Sequence, residues 1–305
     1  MIKNRKVLII KLGHSETLDP IISKECSLGD VVRTTVILNY FRDNDNVTWL
    51  VDEEAVPLLE GNPGIDRLLL WNLETSLQLQ KEHFDILVNL EKGPGICALS
   101  DSINAWQKYG FRFSYWLGRA EAYAHTEKVL AIATEVGKRD DNARYWQEHL
   151  AKVVDKRWST KDHYIMKMPQ GIKIYDVGLN WRVGNKWPEK AWSLLYWQQI
   201  KEQLEGKELI CSLQEDMNLL EYMNWVASCK TLITCDSLGM HLAIAYKLNI
   251  VALFGPTPNQ EVYLYDKGIK LVAPMGDMAK LEVEQIIGAV EDILEREKPN
   301  GSKKA

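Results

Sequence analysis

Apolar runs of strand length alternate with amphipathic stretches along most of the chain, a pattern that predicts parallel sheets covered by helices. Lys6–Leu12 is the first predicted strand, and an amphipathic segment from Leu28 to Phe41 follows it. Strands are predicted at Val47–Val51, Arg67–Trp71 and Phe84–Leu90, with a short helix at Ala55–Glu60. Apolar positions three and four apart predict a further helix over Ile96–Lys108. From Glu121 to Gly171 the chain is polar and irregular, apart from a helical segment near Asn142–Val154. The alternation then restarts, with strands at Ile174–Asn180, Glu208–Leu213, Thr231–Cys235, Ile250–Gly255 and Ile269–Ala273. Helices are expected at Trp192–Leu204, Leu219–Ser228, Gly239–Lys247 and Leu281–Arg296.

A break between two such series implies two domains, and 305 residues are more than one ordinary core accommodates. The expected division is 1–165 and 172–280, with Lys161–Gly171 as linker, a closing helix over 281–297 and a disordered tail over 298–305. The expected fold class is α/β, with two Rossmann-like parallel-sheet domains facing across a cleft. In such sheets ligands bind beyond the carboxyl ends of the strands, so residues just after strands carry the functional search.

Composition narrows the classes. With 37 basic against 42 acidic residues the net charge is -5, a balance that gives no support to a nucleic-acid-binding footprint, which needs a basic face. No apolar run is long enough to span a bilayer, and Met1–Lys6 leads straight into Val7–Ile10 without the apolar stretch of a signal peptide. Cys26, Cys97, Cys211, Cys229 and Cys235 are scattered and form no C-x-x-C pair, as expected of reduced thiols in a cytoplasmic protein. Asp43 and Asp45 spell D-x-D, but in a helix-to-strand turn they are expected to form the turn. Trp106, Trp116 and Trp146 offer stacking surfaces for a sugar, although core packing is the plainer expectation for each.

Three segments after strands carry candidate chemistry. Ser27-Leu28-Gly29-Asp30 opens the first helix, where Ser27 and Asp30 have the spacing of a near capping box. Taken alone, capping outweighs catalysis for Asp30, yet its position also suits a carboxylate that accepts a proton from an incoming hydroxyl. Asp236-Ser237-Leu238-Gly239-Met240-His241 opens a helix after a strand. Its free N–H groups suit a diphosphate, while plain N-capping and a core His241 are the structural alternatives. Gly255-Pro256-Thr257-Pro258 turns after the next strand, and Lys186-Trp187-Pro188 precedes another helix. A loop lysine is ordinarily just solvated; only its shared location singles out Lys186.

Together these segments resemble glycosyltransferase family 9, the ADP-heptose heptosyltransferases. Gly29-Asp30-Val31-Val32-Arg33-Thr34-Thr35 resembles the family's Gly-Asp-Val/Ile and threonine-rich helix. Lys186–Trp192 resembles Lys-x-Trp-Pro-x-x-x-Trp in compressed form, and Asp236–Ala243 with Leu253–Thr257 resembles the Asp-Ser/Thr-Gly-x-x-His-Leu-Ala and Leu-Phe-Gly-Pro-Thr pair. The resemblance implies a GT-B architecture and an inverting, metal-independent transfer of heptose from ADP-heptose to a hydroxyl of a lipopolysaccharide-core or related glycan. It assigns Asp30 as catalytic base and Lys186, Asp236, Ser237, Leu238, Gly239 and Thr257 to the donor phosphates and sugar. Gln214 falls near the ribose or base, and Gly29, His14 and Arg33 lie on the acceptor side. No metal and no cofactor beyond the ADP-sugar donor is implied. The expected partners are that donor and a glycan or glycolipid acceptor, for a cytoplasmic monomer in peripheral contact with the inner membrane.

The chain departs from the family in two places. Leu238 stands where a glycine is expected, with Gly239 one place later, and Gly13–Cys26 intervenes between the first strand and Asp30. This insertion carries His14, Glu16, Asp19 and Lys24 where an acceptor would enter. Another nucleotide sugar or a non-lipopolysaccharide acceptor, and a catalytically silent sugar-nucleotide-binding protein, are therefore alternatives. A nicotinamide-dependent oxidoreductase would need G-x-G-x-x-G after a strand, which is missing, and a sugar-nucleotide epimerase would release an isomer without an acceptor.

Overall fold

The computed structural model describes residues 4–14, 25–124, 126–134, 144–184 and 186–297. The chain divides into two compact units, one running to Lys167 and including Gln260–Val262, the other comprising Met168–Asn259 and the chain from Tyr263 onward. The tail and most of the Gly13–Cys26 insertion lie outside the described residues.

In the first unit the strands are β1 (Lys6–Ile10), β2 (Asn46–Val51), β3 (Arg67–Leu70), β4 (His83–Asn89), β5 (Asn104–Ser114) and β6 (Arg119–Ala122). Among the described residues they form one sheet in the order β3-β2-β1-β4-β5-β6, parallel except for β6. Its helices are α1 (Leu28–Thr34), α2 (Val56–Leu59), α3 (Leu73–Leu79), α4 (Pro94–Ser102), α5 (Glu127–Thr134) and α6 (Trp146–Val153). Val7, Leu8, Ile9 and Ile10 are wholly buried, as a central strand covered on both faces requires. Leu8, Ile10, Leu50 and Leu87 pack with Ile96, Leu99 and Ile103 from α4 and the residue after it.

The second unit holds β7 (Tyr175–Asn180), β8 (Cys211–Leu213), β9 (Cys229–Cys235), β10 (Asn249–Phe254) and β11 (Gly268–Val272), parallel throughout and ordered β11-β10-β9-β7-β8. Helices α7 (Leu194–Glu205), α8 (Leu219–Ser228), α9 (Leu238–Ala245) and α10 (Val283–Glu297) complete it. Trp197, Ile200 and Leu204 of α7 and Ile286, Val290 and Ile293 of α10 bury against Val177, Ile233 and Val251 of the sheet.

The predicted helix over Ile96–Lys108 is corrected. Here α4 stops at Ser102, Ile103 turns extended, and Asn104–Gly110 pairs along β4 in register His83↔Asn104 through Asn89↔Gly110. The apolar spacing fitted a helix, but the aromatic-rich Trp106–Phe113 stretch satisfies its backbone by pairing with β4 instead. Gly110 (φ +89°) closes that pairing, and a Cβ there would lie 1.8 Å from the Asn89 carbonyl oxygen, so only glycine fits. Among the described residues β6 pairs only with Phe111–Ser114 and no strand covers that edge of Asn104–Gly110, and Trp106 stands exposed instead of entering the core. Trp116 is 90% exposed, a second departure from core packing.

Candidate functional site

Each unit carries a cluster of charged candidate side chains where the strand order reverses, the place at which helices on opposite faces splay apart and leave a crevice. The reversal in the first unit falls between β1 and β4. Lys11 follows β1, Glu91 and Lys92 follow β4, and Asp30 lies in the first turn of α1. Lys11 is 3% exposed, and its ammonium forms an ion pair with Asp30 and a second with Glu91 at 3.1 Å. Arg33, one turn along α1, pairs with the other oxygen of Asp30 and lies over the Trp146 ring, 4.8 Å from its centroid. Glu91 Oε1 also accepts the backbone N–H groups of Leu12 and Gly13, each at 2.8 Å, which ties the end of β1 to the end of β4.

The electrostatics follow from burial among mixed charges. Burial alone would raise the pKa of Asp30, but Arg33 and Lys11 outweigh it and hold the carboxyl well below the usual carboxylate range. Lys11 is likewise held above its ordinary value, because Asp30 and Glu91 outweigh burial. Lys92 goes the other way: burial, with Lys11 nearby, brings it down to about 8. The capping box is not formed, since Ser27 makes no side-chain cap bond and the Asp30 carboxylate is engaged with cations.

Lys11, Asp30, Arg33 and Lys92 form the polar side of a cavity of about 90 Å³ within this unit. Its other side is apolar, made by Phe111, Val129, Ile132, Trp146, Leu150 and Val153. Trp146, whose indole N–H donates to Glu261 Oε2 at 2.9 Å, is thus a wall of this cavity. Gly29 is half-buried beside Asp30. His14 lies apart from the cluster, 2.8 Å from Asp52 and edge-on to Trp71. The insertion is closed at its base, where Ser27 N–H donates to the Gly13 carbonyl at 2.8 Å. The D-x-D pair is a turn, as expected: Asp45 accepts from Arg5 at 3.0 Å and from the Arg42 N–H at 2.8 Å.

The reversal in the second unit falls between β7 and β9. Asn180 ends β7 and Asp236 follows β9, with Ser237 as N-cap of α9. Lys190 Nζ donates to Asp236 Oδ2 at 2.9 Å and to its carbonyl oxygen at 3.2 Å. Burial pushes the Asp236 carboxyl up, but Lys190 and His241 outweigh it and bring it down to about 2. The Thr257 hydroxyl, buried without a partner of ordinary hydrogen-bond geometry, is close enough to favour the ionised form as well. Sequence reasoning passed over Lys190 in favour of Lys186, which is half-buried just before the turn Pro188–Lys190. The signal for Lys190 was its place in that turn, facing the end of β9.

Asp236, Ser237 and Leu238 form a partly exposed rim, but Gly239 is buried beneath it. A Cβ on Gly239 would meet Asn180 Nδ2 at 2.4 Å and the Tyr222 hydroxyl at 2.5 Å. The reason is the network under the rim: Asn180 donates to Thr234 Oγ1 at 2.7 Å and to Ser237 Oγ at 3.2 Å, while Tyr222 donates to Asn180 Oδ1 at 2.9 Å. Gly239 therefore lets α9 approach β7, and the N–H groups at the helix start belong to Ser237, Leu238 and Gly239. Gln214 is engaged in the scaffold, its side-chain oxygen accepting the Arg182 N–H at 3.2 Å and its carbonyl the Trp181 indole at 2.9 Å. Among the described residues no group of histidine, cysteine and carboxylate side chains has the makings of a metal centre. No helix there is long and apolar enough to cross a membrane.

The model of glycosyltransferase family 9 (heptosyltransferase) matches residues 149–289, which include every strand of the second unit. No curated protein matches the chain by sequence. Among solved structures, a glycosyl transferase family 9 protein from Veillonella parvula superposes with a TM-score of 0.70 at 19% identity, covering 96% of this chain and 97% of that one. E. coli ADP-heptose lps heptosyltransferase II gives 0.69 at 13% identity, covering 96% and 100%. E. coli heptosyltransferase WaaC with ADP-2-deoxy-2-fluoro heptose gives 0.64 at 15%, covering 95% and 99%. At such identities the likeness is one of fold, and the fold is GT-B.

Proposed function

We propose that this chain, a glycosyltransferase resembling family 9, moves a heptose from ADP-heptose to an acceptor hydroxyl by a single inverting displacement. On this reading the acceptor oxygen attacks the anomeric carbon while the bond from that carbon to the diphosphate oxygen breaks. The bonding pair leaves with ADP, and the acceptor's proton passes to the Asp30 carboxylate. One observation carries the assignment: Asp30 is kept ionised at the strand-order reversal, on the wall of a cavity large enough for part of an acceptor. A carboxylate so held is a weak base. It suits a displacement in which the oxygen loses its proton late, when that proton has become acidic. Positioned base help of this kind is typically worth roughly 10²–10⁴-fold.

The donor belongs to the second unit on the same reading. Lys190 fixes Asp236, so the N–H groups of Ser237, Leu238 and Gly239 at the start of α9 meet the diphosphate, with Lys186 and Thr257 beside it. Lys186 and this helix start then stabilise the charge that develops on ADP, and the reaction needs no metal. The solved heptosyltransferase of the same fold with ADP-2-deoxy-2-fluoro heptose supports this choice of donor. The lipopolysaccharide core is the acceptor the resemblance favours. The apolar side of the cavity favours a second reading, an acceptor that carries a small apolar group next to its hydroxyl. The proposed setting is the cytoplasm, with peripheral membrane contact and a monomeric chain.

A thermal-shift panel tests the donor assignment. ADP and ADP-heptose at 100 times their Kd are expected to stabilise the protein by about 2.7 kcal/mol, with UDP, GDP and NAD giving smaller shifts. Equal shifts from all four nucleotides, or none from ADP, would remove the assignment.

A further inference from the structure

The turn between β5 and β6 is Tyr115-Trp116-Leu117-Gly118, closed by the Gly118 N–H donating to the Ser114 carbonyl at 2.8 Å. A surface turn is ordinarily polar. Here Tyr115 is 81%, Trp116 90% and Leu117 60% exposed, and the two aromatic rings meet edge-on at 5.4 Å. At the base of the turn, Arg112 and Glu121 pair at 3.0 Å and neutralise one another. Arg119, the first residue of β6, has no ion pair among the described residues and stands next to the tip, whereas the Asp101 carboxylate lies lower on the hairpin, accepting from the Phe113 N–H at 3.0 Å and from the Tyr123 hydroxyl.

The geometry points to this hairpin tip as a wedge that seats in the interfacial layer of an anionic lipid bilayer. Three features favour lipid over protein. The tip is convex and narrow, and its three side chains offer on the order of 500 Å², short of the roughly 800 Å² per partner that a stable protein interface buries. A bilayer needs no matching surface. Tyrosine and tryptophan, apolar bodies with one polar end, suit the headgroup level where one side is wet and the other hydrocarbon. Leu117 adds a purely aliphatic anchor, and Arg119 meets anionic headgroups at the same depth. The inference rests on the peripheral membrane contact proposed above, which it locates, and not on the transfer reaction or on Asp30.

The test is co-sedimentation of the full chain with vesicles of phosphatidylcholine and phosphatidylglycerol at 7:3, and of phosphatidylcholine alone. The wild type is expected to pellet with the mixed vesicles. Tyr115→Ser/Trp116→Ser/Leu117→Ser is expected to lower the bound fraction at least tenfold, and Trp116→Ser alone by a smaller factor. Arg119→Glu is expected to weaken binding to the mixed vesicles severalfold and to leave the weak binding to phosphatidylcholine unchanged. The thermal shift with ADP, measured on the same samples, is expected to be unchanged in every variant, which separates failure of this proposal from failure of the donor assignment. Wild-type protein left in the supernatant, or a triple variant that pellets like the wild type, overturns the proposal. So does a wild-type dimer that the triple variant turns into a monomer in sedimentation velocity while vesicle binding persists, because the tip would then seat a second copy.

Discussion

Replacing Lys11 with methionine perturbs the first unit's charge cluster at its centre. The ammonium is 3% exposed and compensates Asp30, 9% exposed, and Glu91, which is fully buried. Methionine keeps most of the side-chain volume, so the loss is mainly electrostatic. Breaking a buried pair from one side costs about 3–5 kcal/mol. The lower end applies here, because Asp30 retains Arg33 and Glu91 retains the N–H groups of Leu12 and Gly13. For a unit of this size each kcal/mol moves the midpoint by about 2–4 °C, so a loss of roughly 6–12 °C is expected at pH 7. In the wild type the folded pKa of Asp30 lies below its unfolded value, so its contribution is present above about pH 4 and fades as pH falls further. Lys11→Met raises that folded pKa and lets a proton relieve the facing carboxylates, so the gap to the wild type narrows from pH 7 toward pH 4. Adding Glu91→Gln removes one uncompensated carboxylate and is expected to recover part of the loss. The assay is thermal unfolding by circular dichroism at pH 7, 5.5 and 4. A single variant that melts within about 1 °C of the wild type at pH 7, or a gap independent of pH, would refute the reasoning.

The remaining predictions concern neighbouring features. Gly239→Ala drives a Cβ against Asn180 and Tyr222 and is expected to cost about 1–3 kcal/mol in urea unfolding, with weaker ADP binding because the start of α9 shifts; unchanged stability would contradict the packing role. Burial lowers Lys92 to about 8, so the unfolded chain binds more protons between roughly pH 8 and 10.5 and wild-type stability should rise through that window. Lys92→Met is accordingly expected to stabilise the protein at pH 7 by about 1–3 kcal/mol and to lose that advantage by pH 10, read from denaturant midpoints.

The strands were legible because each carries a short, mainly apolar run, and all nine predicted ones lie within a few residues of their predicted bounds. The failure at Ile96–Lys108 has a specific cause: short apolar spacings fit either period, and pairing along β4 decides between them in space, where sequence offers no local sign. Hairpin β5–β6 was hidden by the helical reading of its first strand, and helices α3 and α5, of seven and eight residues, are too short for a helical period to stand out. In the candidate site, Asp30 and Asp236 drew attention because they stand at helix starts and match motifs of the family that the chain resembles. Their counter-charges did not. Lys11 ends an apolar run and reads as an ordinary strand terminus, Glu91 and Lys92 look like a solvated loop, and Lys190 lies in a segment whose spelling drew attention to Lys186. Each gains meaning only from the strand order, which brings β1 beside β4 and β7 beside β9. Gly239 is a related case. Its offset from the family pattern suggested a change in the phosphate turn, whereas the structure makes it the point of close approach to Asn180 and Tyr222.

The central claim is that Asp30 takes the acceptor's proton while the donor is held elsewhere, by the Asp236 helix start. The most direct measurement compares Asp30→Asn with the wild type in two readouts on one preparation: the Kd for ADP-heptose by calorimetry, and acceptor-dependent release of ADP. The account predicts a Kd within about twofold of the wild type and ADP release slowed by about 10²–10⁴. Wild-type turnover by Asp30→Asn, or loss of turnover entirely explained by loss of donor binding, would contradict it.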